Sequence, residues 1–411
     1  MERARKRTLI GVSVGHGVHD IWLGLAPVLL AALSTQMGLS NADIGLGIML
    51  YQGISSLTQP LFGRLTERIG ARPFAVGSIL WTTSCFSVAL FVQTKLLLMG
   101  CIALAGLGSG AWHPQGAANA SVAGGKRWGA TATSIFFLGG TVGSAFPGAA
   151  LGGYLLENYG RRSLLIIAVA TVVLALTVIR DMIPRRIQMP EKGEKEEGAQ
   201  SAGISMGTAF WILLATLLLG TALRRVVDES MGTFFAKYQQ DLGVSTATYG
   251  FLMALFLAGR AIGGVVGSYL ADRVGLRSSL VGSVILCAVT LFLFVNTLPP
   301  WSYLFFILSG FLCSPSQTLF MVSGQRQFPR RIAMVSGLFL GFAFLSGAGG
   351  VWVFGLLADR VGLQRLFALL PWFLVGAAVC GFIAVPSGST ETASQKEDVV
   401  TAQGSVLEQS E

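Results

Sequence analysis

The chain has 411 residues, 53% of them hydrophobic and only 12% charged, with a formal net charge of +9 and a mean hydropathy of +0.66. A soluble domain carries about 25% charged residues, so this composition excludes one and calls for a lipid bilayer as solvent. The basic residues lie mostly in the segments between apolar runs, and that distribution gives no reason to expect a nucleic-acid partner.

A helix needs roughly 20 apolar residues to cross the hydrocarbon core. In chain order such runs fall at 8 to 34, 43 to 66, 73 to 92, 96 to 121, 128 to 156 and 162 to 183, then at 207 to 236, 246 to 271, 276 to 297, 301 to 324, 331 to 358 and 362 to 385. The expected fold is therefore all-α and integral to the membrane, with twelve transmembrane helices. The first run follows a basic leader but is too long for a signal-peptide core, and eleven more runs follow it, so it is read as a span. Residues 1–183 form an N-terminal six-helix bundle, 184–206 a polar cytoplasmic linker, 207–386 a C-terminal six-helix bundle and 387–411 a disordered cytoplasmic tail. The five cysteines lie inside runs without CxxC spacing and read as packing residues.

With the N-terminus inside, 20 Lys and Arg fall on inside segments and 6 outside. That asymmetry puts both termini in the cytoplasm. It makes the protein a multi-pass component of the plasma membrane, the inner membrane of a bacterial cell.

One phrase recurs four times: "GRLTERIGAR" from Gly63, "GYLLENYGRR" from Gly153, "SYLADRVGLR" from Ser268 and "GLLADRVGLQR" from Gly355. Each copy has Leu two residues before an acid and Gly three residues after it. The acids Glu67, Glu157, Asp272 and Asp359 are separated by 90, 115 and 87 residues, the excess in the middle being the linker. Three helices separate successive copies, so neighbouring three-helix units run in opposite directions, the inverted-repeat plan of secondary transporters. Gly permits a tight reversal, and acid with Arg supplies a charge-assisted bond. The cytoplasmic copies carry the complete pattern, so Gly63, Glu67, Arg68, Gly70 and Arg72, with Asp272, Arg273, Gly275 and Arg277, are expected to gate. The outer copies read equally well as helix stops with interfacial arginines.

This pattern resembles the major facilitator superfamily over the whole chain. Within it, "GHGVHDIWLGLAP" in the first helix, "SSLTQPLFG" in the second and "GLGSGAWHPQG" in the fourth look like the fosmidomycin-resistance group of exporters. The chain departs from that group at His19-Asp20, where Asn-Asp is usual, and at His113-Pro114-Gln115, where His-Pro-Glu is usual. The resemblance implies that the first, fourth, seventh and tenth helices surround a central cavity.

All three histidines, His16, His19 and His113, lie within apolar runs. His16, His19 and Asp20 share an arc of about 100° on the first helix, about 12 to 18 Å deep at 1.5 Å per residue, and His113 is about 14 Å deep. These four are expected to meet as the proton-coupling site, because histidine changes charge near physiological pH. By the repeat, Arg225 stands opposite Asp20 and Arg224 opposite His19, since Asp20 and Arg225 each precede their acid, Glu67 or Asp272, by 47 residues. A charge in lipid costs about 2.5 to 3.5 kcal/mol on insertion scales, so such residues face a cavity and pair. Arg224 and Arg225 suit an anionic group, and Trp22, Trp112, Gln115, Asp228 and Arg260 are assigned with them to the solute site. Two alternatives stand beside this: Arg224, Arg225, Asp228 and Glu229 as self-neutralising pairs one helical turn apart, and Arg260 as a structural partner of an acid on the seventh helix. The imidazoles and Asp20 also offer metal-capable atoms, but no feature of the resemblance calls for a metal, and no metal or other cofactor is expected.

The function expected is efflux of a small anionic or amphipathic drug or metabolite by proton antiport, with the protein acting as a monomer on small molecules and protons. Proton-coupled import of an organic anion by the same fold is the alternative. An intramembrane metal-dependent enzyme is disfavoured, because no HExxH spacing or catalytic carboxylate pair occurs.

Overall fold

The structure is a computed structural model that describes residues 3–187, 208–327 and 332–386. Most of the expected linker and the whole expected tail lie outside the described residues, as do Arg330, Arg331 and Lys396. The described chain is helical, with no strand.

The helices are α1 (Arg3–Met37), α2 (Asn41–Ile69), α3 (Ala71–Ala89), α4 (Lys95–Gly125), α5 (Thr131–Tyr159), α6 (Arg161–Met182), α7 (Thr208–Asp241), α8 (Thr246–Val274), α9 (Leu276–Asn296), α10 (Trp301–Gln327), α11 (Ile332–Val361) and α12 (Leu363–Ala384). Among the described residues nine of these are long and apolar enough to cross a membrane by length and composition. α2, α3 and α7 fall outside that measure. α7 carries Arg224, Arg225, Asp228 and Glu229 within two turns.

Local chemistry explains the helix ends. Ser40 and Asp43 form a reciprocal capping box at the start of α2, and Ser245 accepts from Thr248 N at the start of α8. The Gly of every copy of the repeated phrase turns the corner with positive φ: Gly70 at 116°, Gly160 at 74°, Gly275 at 95° and Gly362 at 86°. An L side chain is strained there, which is why the phrase needs Gly at that place. Gly125, with φ 65°, separates α4 from α5, and α5 passes through a π-helical stretch at Ser144–Ala150 around Pro147.

Polarity is arranged inside out relative to a soluble protein. His16, His19, Asp20, Arg224, Arg225 and Asp228 are buried, whereas Ile166, Val169, Val265 and Trp372 are exposed, as hydrocarbon solvent requires. Helices approach closely where small residues meet. A Cβ on Gly17 of α1 would lie 2.9 Å from the Gly139 carbonyl oxygen of α5. α5 runs beside α1 from Phe136, over His16, to Gly152, over Leu25. The Glu157 end of α5 therefore lies at the same end of the bundle as the α1–α2 turn.

Candidate transport site

On α1, His16, His19 and Asp20 share one buried face. Asp20 lies between the two imidazoles: its Oδ1 is 2.9 Å from His19 Nδ1, and its Oδ2 is 3.1 Å from His16 Nε2. Backbone carbonyls orient two of the rings, one from a neighbouring helix and one from the preceding turn of the same helix. His16 Nδ1 is 2.8 Å from the Phe136 carbonyl oxygen of α5, and His113 Nδ1 is 2.8 Å from the Ser109 carbonyl oxygen of α4. A carbonyl only accepts, so in both rings Nδ1 carries the proton and donates it. His19 Nδ1 likewise donates to the carboxylate, while its Nε2 faces the Thr82 hydroxyl of α3 at 3.3 Å. The His16 ring stacks on Phe136, with centroids 4.0 Å apart, and His19 stacks on Trp112 at 5.8 Å. The His113 ring stands edge-on to both imidazoles, 5.1 and 5.9 Å away. The four residues expected to meet do so.

The second cluster belongs to α7. Asp228 Oδ2 accepts from Arg225 NH1 at 2.8 Å and from Arg260 NH2 of α8 at 2.8 Å, with Arg224 NH1 3.8 Å away. Arg225 also pairs with Glu229, and Glu229 Oε2 accepts from Gln52 Nε2 of α2 at 2.8 Å. The self-neutralising pairs and the structural partnership of Arg260 are thus both present. Three guanidinium groups face two carboxylates, which leaves one positive charge in excess. Arg224 is fully buried, and none of its three nitrogens has a hydrogen-bond partner among the described residues.

Other expected residues fall elsewhere. Trp22 is fully enclosed, donates to the Thr83 hydroxyl at 3.1 Å and stacks on Phe86. It cannot touch a solute in this conformation, because its ring fills the space between α1 and α3. Trp112 is equally enclosed beneath His19, and Gln115 is buried and bonded to Asn119. Gly11 to Gly15 match the Gly-x-Ser-x-Gly spacing of a hydrolase elbow, but Ser13 lies inside α1 rather than on a strand-to-helix turn.

The gating expectation meets a different arrangement. Asp359 accepts from Asn41 N at 2.7 Å and from Ala42 N at 3.0 Å, capping α2 from α11. Glu157 accepts from Thr246 N at 2.6 Å, capping α8 from α5. Two copies of the phrase thus latch a helix on the far side of the linker through its exposed N-terminal amides. Beside these latches a Cβ on Gly355 would lie 2.6 Å from the Asn41 carbonyl oxygen, and one on Gly153 2.7 Å from that of Thr246. At the other end Glu67 and Asp272 make no such bond among the described residues. Gly63 sits over Pro114, Arg72 Nε donates to the Ile183 carbonyl at 2.8 Å, and Arg277 and Arg273 lie over the rings of Phe382 and Tyr269. Sequence reasoning missed Gln52 and the two carbonyl anchors. Gln52 stood in view as an amide inside an apolar run, whereas a backbone carbonyl has no sequence signature.

A helical bundle with two buried charge clusters and bonds joining its two parts at one end is the architecture of a membrane carrier. The chain belongs to the major facilitator superfamily, whose model matches residues 15–224 and 217–408. It is 26% identical to the fosmidomycin resistance protein of Escherichia coli (strain K12) over 89% of this chain and 90% of that one, and 25% identical to the gentisate transporter of Corynebacterium glutamicum over 78% and 73%. Its fold matches the inward-facing, occupied structure of a bacterial homologue of the human lysosomal transporter Spinster, with a TM-score of 0.78 over 93% of this chain and 97% of that one at 15% identity. The protein is a multi-pass membrane transporter of small solutes, not an enzyme.

Proposed function

We propose that the protein exports a small anionic or amphipathic solute by proton antiport, through alternating access of two six-helix halves, 1–183 and 207–386, built from inverted three-helix repeats of twelve spans. It works as a monomer in the bacterial inner membrane with both termini in the cytoplasm. The observation that carries the reading is the His16–Asp20–His19 cluster closed by His113, a buried carboxylate held between imidazoles, set at repeat-equivalent positions to a buried cluster with surplus guanidinium charge. The first cluster takes and releases the proton. The second holds the anionic part of the solute at Arg224 and Arg225.

With that orientation the latched end is the outer one, and this conformation opens to the cytoplasm. Glu157 and Asp359 cap α8 and α2 while the outer gate is shut. By the same repeat Glu67 and Asp272 engage opposite helix ends once the inner gate shuts, so the four copies act as two alternating pairs. The sequence likeness to a fosmidomycin resistance protein supports export.

A thermal-shift screen of the purified protein against amphipathic anions, followed by hits applied to proteoliposomes holding a pH-sensitive dye, tests this. Hits should drive protons opposite to the solute. Movement in the same direction makes the protein a symporter, and solute movement with no proton flux removes the coupling reading. Cysteines introduced at positions 192 and 237 should be labelled only from inside and only from outside, respectively. Reversed labelling would overturn the orientation.

A further inference from the structure

We propose that His16, Asp20 and His113 form a binding site for a divalent transition-metal cation of the zinc class. One ligand atom from each residue can be chosen so that all three lie within 4.8 Å of one another, and His16 Nε2 and Asp20 Oδ2 are already 3.1 Å apart. Two backbone carbonyls prepare the imidazoles. Because Phe136 O and Ser109 O each take an Nδ1 proton, the Nε2 atoms of His16 and His113 are left as lone-pair donors. Metal-bound histidines are held in this way, with the second nitrogen tied to a carbonyl or carboxylate. Asp20 has its own support, since His19 donates to Oδ1 and leaves Oδ2 for the cation.

An orphaned atom points to the same place. His16 Nε2 is buried and has no hydrogen-bond partner, although it faces a carboxylate oxygen. A nitrogen lone pair and an anionic oxygen at that distance repel unless a proton or a metal cation lies between them. Gly140 of α5 leaves the space: a Cβ there would sit 2.8 Å from His16 Nε2 and 2.9 Å from Asp20 Oδ2. Metal–ligand distances of about 2.0 to 2.2 Å put tetrahedral ligand atoms roughly 3.3 Å apart. The longest pair must therefore close by about 1.5 Å, a side-chain adjustment open to His113, the partly exposed member of the three. Two imidazoles and one carboxylate suit zinc, nickel or copper, whereas magnesium and calcium take oxygen ligands. Three protein ligands leave a fourth position open, and the cation ties α1 to α4.

The site shares its residues with the proton-coupling cluster but does not rest on that reading, because metal binding is measured without a gradient and without transport. The test is titration of the untagged full-length protein in detergent with zinc chloride by calorimetry at one pH, alongside cobalt(II) absorption. The wild type should take up one zinc with saturation and give the strong visible bands of cobalt in a low-coordinate nitrogen and oxygen site. His113→Ala removes a ligand and Gly140→Ala places a methyl against the other two, so each should weaken binding by about tenfold or more. The absence of saturable binding overturns the site, as does binding unchanged in either variant. Should a variant fail to fold, the wild-type cobalt spectrum decides, and the weak bands of an octahedral ion overturn the site.

Discussion

The two buried clusters occupy equivalent places, Asp20 and Arg225 each 47 residues before the acid of a repeated phrase, yet they are built on opposite terms. Around Asp20 the partners are two imidazoles, His16, whose other nitrogen is on the Phe136 carbonyl of α5, and His19, whose other nitrogen faces the Thr82 hydroxyl of α3. On the proposed reading those rings carry the proton that the transporter exchanges. Around Asp228 the partners are three guanidinium groups, which stay charged at any working pH. That cluster can change only by moving its partners or admitting another anion. On the proposed reading, the contrast places the changeable charge on α1 and α4 and the permanent charge on α7 and α8.

The sharpest way to break this contrast is Asp228→Ala. It strips the carboxylate shared by Arg224, Arg225 and Arg260, and loss of one partner from a buried ion pair costs about 3 to 5 kcal/mol. Yield and thermal unfolding in detergent should fall accordingly. A normally stable variant would show that the guanidinium groups are solvated, and the two clusters would then be alike.

Asp20→Asn keeps the shape and removes the titrating group. It should abolish transport driven by a pH gradient while leaving solute binding intact, as measured in proteoliposomes and by binding on the same preparation. Replacing Arg225 by Gln should do the reverse, weakening binding of an anionic solute with coupling retained. If Asp20→Asn keeps its gradient response, the coupling acid is Glu229 or Asp228, and the comparison inverts.

Glu157→Gln and Asp359→Asn replace charge-assisted caps with neutral ones. Hydrogen bonds to charged groups contribute about 1.5 to 3 kcal/mol and neutral ones about 0.5 to 1.5, so each change should favour opening of the latched end by roughly five- to tenfold. Spin labels at the exposed positions 36 and 242 would report it as a longer-distance population. Glu67→Gln and Asp272→Asn should instead slow cycling with affinity kept within a few-fold. Identical shifts from both pairs would refute alternating engagement. The smallest effect is expected from Gln52→Ala, which removes one bond between α2 and Glu229, about 1 kcal/mol, and should appear as a modest change in transport rate.

Much of the site was legible in the sequence because spacing along a helix is geometry. Three residues at positions 16, 19 and 20 share a face whatever surrounds them, and a depth counted at 1.5 Å per residue brings His113 level with them. The Gly of the repeated phrase was legible for a similar local reason, and all four have positive φ. Trp22 was not legible as a packing residue, because an aromatic ring beside a polar cluster looks the same whether it lines a cavity or fills a gap. Nor was the choice of latching copies, since the acids at 67, 157, 272 and 359 have nearly the same neighbours along the chain, and a conformation selects among them.

The sequence by itself determined the solvent, the family and the positions at which buried charge is tolerated, since these follow from composition, apolar length and periodicity, all properties of short segments. Only the tertiary structure decided which nitrogen of His16 holds its proton, that Gln52 bridges to Glu229, and that Asp359 and Glu157 cap α2 and α8. All but the Gln52 bridge are contacts of a backbone carbonyl or amide, all join residues 89 to 318 positions apart, and every residue carries the same backbone groups, so no side-chain pattern records where they meet.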